Sequence, residues 1–257
     1  MRQQLVAGNW KMNCSVGEAV QLATSIRECL GSVVGVDVAV CPPFVALHSV
    51  YEVLLDTTVS IGAQDVFYED AGAYTGAISP LMIEGLCRYS LVGHSERRKW
   101  FGEEEQSISR KISALRRHGI WPILCVGESL EENVAGQTAQ VMARQLEGAL
   151  GGSAPLNEIV VAYEPVWAIG TGKAARAEEV NDTVLEIRRL LEKIWDADAA
   201  RDIRILYGGS VTAENVDEFV CMSEIDGTLV GGASLRAEQF CEIVFKSASV
   251  RKKPASK

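Results

Sequence analysis

The sequence predicts a single closed (β/α)8 barrel, in which eight parallel strands alternate with helices. Three observations lead to this prediction. The chain has 257 residues, apolar runs alternate with amphipathic segments about eight times, and no Pro- or Ser-rich linker divides it. Because α/β barrels fill this length as one domain, residues 1–250 are predicted to form the barrel and 251–257 a polar, disordered tail. An open doubly wound sheet is the alternative fold.

Eight short apolar or β-branched runs are predicted to be the strands. Most are nearly continuous, as expected for parallel strands that are covered on both faces. The runs are Leu5–Ala7, Val36–Cys41, Val59–Ala63, Leu91–Val92, Ile120–Val126, Ile159–Tyr163, Ile203–Tyr207 and Thr228–Val230.

The segments between these runs have the periodicity of amphipathic helices. One helix is predicted after Asn13–Ser15, and another from Glu103–Glu105 to Arg116–His118. In the second, the charges at each end oppose the helix dipole, and Gly119 suits the left-handed position that follows. A third presents one apolar face, which consists of Val180, Val184, Ile187, Leu191 and Ile194.

Composition restricts the class of partner and the compartment. A formal net charge of -9 without a basic stripe argues against nucleic acid as a partner. No apolar stretch has the length of a membrane span or of a signal peptide's apolar region. The seven cysteines form no CxxC pair and no metal-ligand spacing. A cytoplasmic protein without a structural metal is therefore predicted.

Polar residues collect where the predicted strands end. Asn9 and Lys11 follow the first strand, His94 and Glu96 the fourth, and Glu164 the sixth. In a barrel the carboxyl ends of all strands meet at one face, where active sites lie. The sequence therefore predicts a polar pocket above an apolar core.

Glycine-rich turns after the last two strands indicate a phosphate site. Gly208–Ser210 follow the seventh strand, and Gly231 and Gly232 follow the eighth. Glycine allows the backbone to approach a ligand closely, and barrels often bind phosphate with N–H groups at this place. Turns that only end the strands are the structural alternative.

The segment Pro165–Gly172 is predicted to be a lid over this pocket. Proline stiffens its start, glycine loosens its end, and the middle is apolar without a strand or helix pattern. A lid of this kind closes over a substrate and excludes water. An ordinary hydrophobic connector is the alternative.

Three ionisable residues are candidates for the chemistry. Glu164 is a candidate general base, because burial under a closed lid disfavours the charged carboxylate. His94 begins a short helix, whose N-terminus is expected to keep the imidazole neutral and able to polarise a carbonyl group. Lys11 would balance an anionic substrate. Each has a structural alternative: a solvated turn cap, a satisfied structural histidine and a surface lysine.

Five segments taken together resemble the triosephosphate isomerase family. They run from the first strand to the last and are Ala7–Lys11, Val92–Arg98, Ala162–Lys173, Tyr207–Val211 and Val230–Leu235. The resemblance implies a TIM barrel that interconverts dihydroxyacetone phosphate and D-glyceraldehyde 3-phosphate through an enediolate. It also implies an enzyme of glycolysis and gluconeogenesis that uses no cofactor.

The resemblance implies a role for each site residue. Glu164 would move a carbon-bound proton, neutral His94 would donate to the enediolate oxygens, and Lys11 would offset their charge. The other implied roles are substrate binding by Asn9 and Lys11, phosphate binding by the N–H groups of Gly170, Ser210, Gly231 and Gly232, positioning of Lys11 by Glu96, and latching of the lid by Tyr207 and Ser210.

The segment Gln64–Ser79 resembles the family's dimer loop, and a homodimer is predicted. Thr75 is expected to reach the partner's active site. Asp65 stands where the family usually has Asn. Ala77 stands where it usually has a Glu that would pair across the interface with an arginine matching Arg97.

Two other functions are compatible with a phosphate-binding barrel. A lyase or synthase acting on a phosphorylated sugar would share the glycine turns, but it would not need His94, Glu164 and the lid together. A barrel that binds a phosphorylated metabolite without turnover would be expected to lack one of the catalytic residues, and none is missing.

Overall fold

A computed structural model, which describes residues 2–155, 158–169 and 175–250, shows a closed barrel of eight parallel strands. Each strand pairs with the next, and the last closes the barrel against the first, with Leu5 opposite Gly227. The predicted closed barrel is confirmed, and the doubly wound alternative is wrong. The strands are β1 (Gln4–Asn9), β2 (Val36–Cys41), β3 (Val59–Ala63), β4 (Tyr89–Val92), β5 (Trp121–Val126), β6 (Val160–Tyr163), β7 (Arg204–Tyr207) and β8 (Gly227–Val230).

Helices connect the strands and pack around the barrel. They are α1 (Val16–Leu30), α2 (Phe44–Leu54), α3 (Pro80–Ile83), α4 (Ser95–Phe101), α5 (Glu105–Arg117), α6 (Leu130–Val134), α7 (Thr138–Leu150), α8 (Ala177–Ile194), α9 (Ala197–Asp202), α10 (Val216–Val220) and α11 (Ala237–Ser249). Single 3-10 turns, Val166–Ala168 and Gly232–Leu235, follow β6 and β8. No described helix is long and apolar enough to cross a membrane.

The local sequence explains where two of the predicted helices begin or end. Ser15 caps α1 in a capping box with Glu18, which satisfies backbone N–H groups at both positions. Gly119 follows α5 with a left-handed φ of +64°, as its position predicts. However, α5 begins at Glu105 rather than at Glu103. The Glu103 side chain is instead buried between Arg97 and Lys111.

Alternating side chains of the strands separate two apolar cores. One fills the interior of the barrel and includes Leu5, Ala7, Leu91, Ile123 and Cys125. The other lies between the strands and the helices, where α8 contributes Val180, Val184 and Ile187 from its predicted face. Since the interior is filled by side chains, a ligand can bind only at an end of the barrel.

The seam between β1 and β8 has no space for a side chain at residue 227. Gly227 has a φ of +135°, and a Cβ atom there would lie 1.9 Å from the Leu5 carbonyl oxygen. We expect Gly227→Ala to lower the free energy of unfolding by about 3 kcal/mol, because backbone on both sides of the seam must move. Urea unfolding followed by far-UV circular dichroism measures this change.

Gly136→Ala is the matched control. Gly136 also has a left-handed φ, +68°, but no heavy atom lies within 4 Å of the position of its Cβ. This substitution should cost about 1–2 kcal/mol from backbone strain alone. Equal losses in the two variants would show that the clash at the seam is not what requires glycine.

Candidate active site

One cavity at the carboxyl end of the barrel brings most of the predicted site residues together. Its volume is about 310 Å³, and the ends of β1, β4, β6, β7 and β8 contribute to its lining. The predicted residues that line it are Asn9, Lys11, His94, Glu164, Ser210, Gly231 and Gly232. Glu96 lies beside it, in an adjoining cavity that Lys11 and His94 also line.

Lys11 is held in an unusual backbone conformation at the wall of the cavity. Its φ is +52°, and its N–H group donates to Asn9 Oδ1 at 3.0 Å. Gln64 donates to the Lys11 carbonyl oxygen at 2.8 Å, and the Lys11 ammonium lies 2.6 Å from Glu96 Oε1. Three neighbours therefore fix both the backbone and the amine. Gln64 directly follows the third predicted strand, but from the sequence it was assigned only to the dimer loop.

Glu164 and His94 form a buried pair at the floor of the cavity. His94 Nε2 lies 3.1 Å from Glu164 Oε1, and the Ser95 N–H group donates to Glu164 Oε2 at 3.3 Å. His94 is also the N-cap of α4, because its Nδ1 accepts from the Glu96 N–H group at 3.2 Å. An accepting Nδ1 places the proton of the neutral ring on Nε2, which is directed at Glu164.

Each residue of this pair changes the pKa of the other. Burial is the largest influence on Glu164 and raises its pKa, but His94, the Ser95 N–H group and Lys11 together hold the pKa below its ordinary value. Burial likewise lowers the pKa of His94, but the Glu164 carboxylate brings it above its ordinary value. The expected direction for His94 is therefore wrong, because it considered the residue without its partner. The expectation for Glu164 concerned a closed lid, whose end lies outside the described residues, and stays a prediction.

The two glycine turns differ in what surrounds them. A Cβ at Gly208 would lie 2.8 Å from Glu164 Cγ, and one at Gly209 would lie 2.2 Å from the Tyr207 hydroxyl oxygen. A Cβ at Gly231 would contact only Lys11 Cε, at 3.7 Å, and one at Gly232 would contact nothing within 4 Å. The first turn therefore needs glycine for packing, whereas the second lies along open cavity.

The remaining predicted residues lie around the site or outside the described residues. Tyr207 is buried and stacks on Phe219 with ring centroids 4.1 Å apart. Burial raises the pKa of Tyr207 to about 12, although N–H groups of Ala175 and Ser210 act against this. Thr75 is exposed and does not line the cavity. Gly170, the end of the predicted lid and the tail 251–257 lie outside the described residues.

Glu128 is a further site residue that the sequence analysis did not single out. Its buried carboxylate accepts from the Tyr163 hydroxyl at 3.1 Å and from Trp167 Nε1 at 2.9 Å. Its carbonyl oxygen accepts from the Val166 N–H group at 3.0 Å. Glu128 therefore anchors the segment that follows Glu164. It follows β5 in the same way that the predicted residues follow their strands, and that position was the available signal.

These features define the class of the protein. A buried carboxylate contacts an imidazole, a lysine lies in the same cavity, and glycine turns line the far wall. Within the described residues, no three His, Cys, Asp or Glu side chains are grouped as a metal site requires. The arrangement is that of a (β/α)8-barrel enzyme that performs acid–base chemistry on a small anionic substrate.

Comparisons with known proteins give the family. A sequence model of triosephosphate isomerase matches residues 4–247. A triosephosphate isomerase of Dehalococcoides mccartyi is 52% identical over 98% of this chain and 100% of that protein. One from Roseiflexus sp. is 47% identical, over 95% and 97% of the two chains. The crystal structure of triosephosphate isomerase from Bartonella henselae has a TM-score of 0.86 at 33% identity and covers 95% of this chain and 98% of that one.

The chain belongs to the triosephosphate isomerase family, which confirms the resemblance drawn from its motifs. Membership decides against the lyase, the synthase and the binding protein without turnover.

The coupling of Glu164 to His94 can be tested by removing the carboxylate. In Glu164→Gln, burial of the imidazole and the Lys11 charge remain but the nearest negative charge is lost, which leaves Glu96, 3.7 Å from Nδ1, to oppose them, so the pKa of His94 should fall below its ordinary value of 6.5. Histidine titration by NMR measures it. In the wild type, the raised pKa of His94 contributes to the free energy of unfolding. This contribution is fully present at pH below 6.5 and is lost as the pH rises through the folded-state pKa.

His118 is an internal control in the same spectra. Burial lowers its pKa, but Glu84 and Asp70 raise it above the ordinary value, and neither contacts Glu164. Its titration should be the same in both proteins. A His94 pKa that did not change in Glu164→Gln would show that the pair is not coupled.

Proposed function

We propose that Glu164, His94 and Lys11 carry out the isomerisation of a triose phosphate. The enzyme interconverts dihydroxyacetone phosphate and D-glyceraldehyde 3-phosphate by proton transfer through an enediolate. The observation that carries the residue assignment is the 3.1 Å contact between His94 Nε2 and Glu164 Oε1, in a cavity that Lys11 also lines.

Glu164 is the base in this proposal. Its carboxylate takes a proton from one carbon of the substrate, the C–H electron pair forms the C=C bond, and the carbonyl π electrons move to oxygen. The proton is then returned to the neighbouring carbon, while the hydroxyl hydrogen passes from one substrate oxygen to the other, so that the carbonyl and hydroxyl groups exchange places. Because the pKa of Glu164 is below its ordinary value, the carboxylate is ionised and ready to accept at neutral pH. A positioned general base contributes about 10²–10⁴-fold.

His94 and Lys11 stabilise the charge that this step creates. The Nε2–H group of His94 donates to Glu164 in this structure. When substrate is bound, it would donate instead to the substrate oxygens as negative charge develops there. One preorganised donor of this kind contributes about 10²–10³-fold. The Lys11 ammonium supplies the local positive charge, and Glu96 keeps it near the cavity.

The phosphate group lies, in this proposal, along the turns after β7 and β8. Asn9 and Lys11 bind the substrate beside the N–H groups of Ser210, Gly231 and Gly232, which bind the phosphate with the N–H group of Gly170. Tyr207 and Ser210 latch the closed lid. Binding energy from the phosphate helps to close the lid, which keeps water from the enediolate and prevents loss of the phosphate from it.

Shortening the base tests its role. Glu164→Asp keeps the charge but withdraws the carboxylate from the reacting carbon, so turnover should fall about 100-fold or more with little change in substrate affinity. A coupled assay with D-glyceraldehyde 3-phosphate measures both. Glu147→Asp, the same change at an exposed position on α7, should have wild-type kinetics. Normal turnover in Glu164→Asp would remove Glu164 from the role of base.

We also propose that the enzyme is a homodimer assembled through Gln64–Ser79, with Thr75 reaching the partner's site. Met12, Trp100 and Phe101 are 96%, 70% and 70% exposed and line a cavity next to His94. Apolar exposure of this kind marks an interaction surface. Arg110 holds the loop, since it lies 3.5 Å from the Tyr68 ring and 2.7 Å from Glu69.

A cytoplasmic location is part of the same proposal. It is supported by free cysteines, four of which are buried as thiols in the fold, namely Cys41, Cys87, Cys125 and Cys241.

The dimer can be tested by placing a charge on the loop. Sedimentation of the wild type at micromolar concentration should give twice the mass of the 27.8 kDa chain. Thr75→Glu should shift the equilibrium towards monomer, because an interface would have to bury an unpaired carboxylate. Ser25→Glu, on the exposed face of α1, should remain dimeric. A wild type that sediments only as monomer would overturn the proposal.

A further inference from the structure

We propose that Asp65 is a positioning residue of this active site: its carboxylate is the counter-ion, within the same chain, that fixes Arg97 and with it the helix that begins after His94. The inference rests on the roles proposed above for His94 and Lys11.

Four charged side chains form a closed ring beside the site. Asp65 Oδ2 lies 2.8 Å from an Arg97 guanidinium nitrogen, and Asp65 Oδ1 lies 2.6 Å from Lys111 Nζ. Glu103 completes the ring, with its two oxygens 2.5 Å from Lys111 Nζ and 3.2 Å from Arg97 Nε. Each carboxylate therefore contacts both cations, and two negative charges balance two positive charges.

Burial makes this balance important for stability and position. The side chains of Lys111 and Glu103 are 5% and 3% exposed, and that of Asp65 is 15% exposed. Burial raises the pKa of Asp65 and Lys111 acts against it, so the charged carboxylate depends on its cations. Without that carboxylate, Arg97 and Lys111 would share Glu103 alone and leave one positive charge uncompensated. Such a loss is far more costly at a buried site than at the surface.

The ring is connected to the proposed catalytic residues through short links. Arg97 lies in the first turn of α4, and its N–H group donates to the His94 carbonyl oxygen at 2.8 Å. Its chain neighbour Glu96 contacts the Lys11 ammonium. On the other side, Gln64 precedes Asp65 and donates to the Lys11 carbonyl oxygen. The dipeptide Gln64–Asp65 therefore holds the backbone of Lys11 with one residue and α4 with the next.

The uncharged residue at position 77 fits this arrangement. Ala77 lines the same groove as Asp65, Arg97, Glu103 and Lys111. The tip of the loop, residues 71–79, carries no charged side chain. Because Asp65 already balances Arg97, an acidic residue at position 77 is not needed, and a carboxylate there would add an unbalanced negative charge to the groove.

The experiment removes the charge at position 65 and adds one at position 77, singly and together. Asp65→Asn keeps the size of the side chain but removes its charge, so α4 should shift and kcat should fall about 10-fold. KM should change less than threefold, because the phosphate turns after β7 and β8 are untouched. Ala77→Glu alone should lower Tm, whereas in the Asp65→Asn background it should raise Tm and recover most of kcat. Asp182→Asn, the same change at an exposed position on α8, is the control and should leave kcat unchanged.

Ala77→Glu should change Tm in opposite directions in the wild type and in Asp65→Asn. A general loss of packing would not produce this result. The same sign in both, or wild-type kcat in Asp65→Asn, would overturn the inference. If Asp65→Asn does not fold, Ala77→Glu alone still tests the charge balance, since a higher Tm would contradict it. Normal turnover in Glu164→Asp would refute the proposed function, whereas loss there with normal turnover in Asp65→Asn would refute only the positioning role.

Discussion

Burial of the Glu164 carboxylate at the end of β6 is the constraint on which the mouth of the barrel depends. The residue is 2% exposed, and an ionised carboxyl group at such a place requires donors and nearby positive charge. His94 and the Ser95 N–H group supply the donors, and Lys11 supplies the charge. The same constraint explains the position of His94 at the start of α4, because an Nδ1 that caps the helix leaves Nε2 directed at the carboxylate.

Neighbouring backbone also restricts the space around Glu164. A Cβ at Gly127 would lie 1.7 Å from the Glu164 carbonyl oxygen, and one at Gly208 would approach its side chain. The strands on both sides of β6 are therefore each followed by glycine, so that the Glu164 backbone and side chain can lie between them. Glu128 then fixes the backbone that leaves the site at Val166. Packing thus sets the position of the carboxylate, and hydrogen bonds set its charge.

The sequence predicted which residues converge, because barrel topology determines that. It did not predict properties that depend on the distance between two side chains. Residues after different strands were expected to converge, and Asn9, His94, Glu164 and Ser210 do line one cavity, because all strands are parallel and the barrel is closed. The pKa direction of His94 was wrong, and the partners that lower the pKa of Glu164 were not foreseen, since no sequence pattern states that the two groups are 3.1 Å apart. Glu103 was assigned to a helix terminus for its charge alone, although its partner Lys111 lies two turns into α5.

The two glycine turns differ in why they contain glycine. Packing explains the turn after β7, whereas the turn after β8 is open to a ligand. Gly208 and Gly209 are required by Glu164 and Tyr207, whose atoms occupy the space of any side chain there. Gly231 and Gly232 meet no such obstacle, so packing does not explain them. What they offer is backbone that a ligand can approach along an open wall, within reach of Lys11. Only the glycines after β8 therefore point to a phosphate site by themselves, whereas the glycines after β7 keep the base in place beside Ser210.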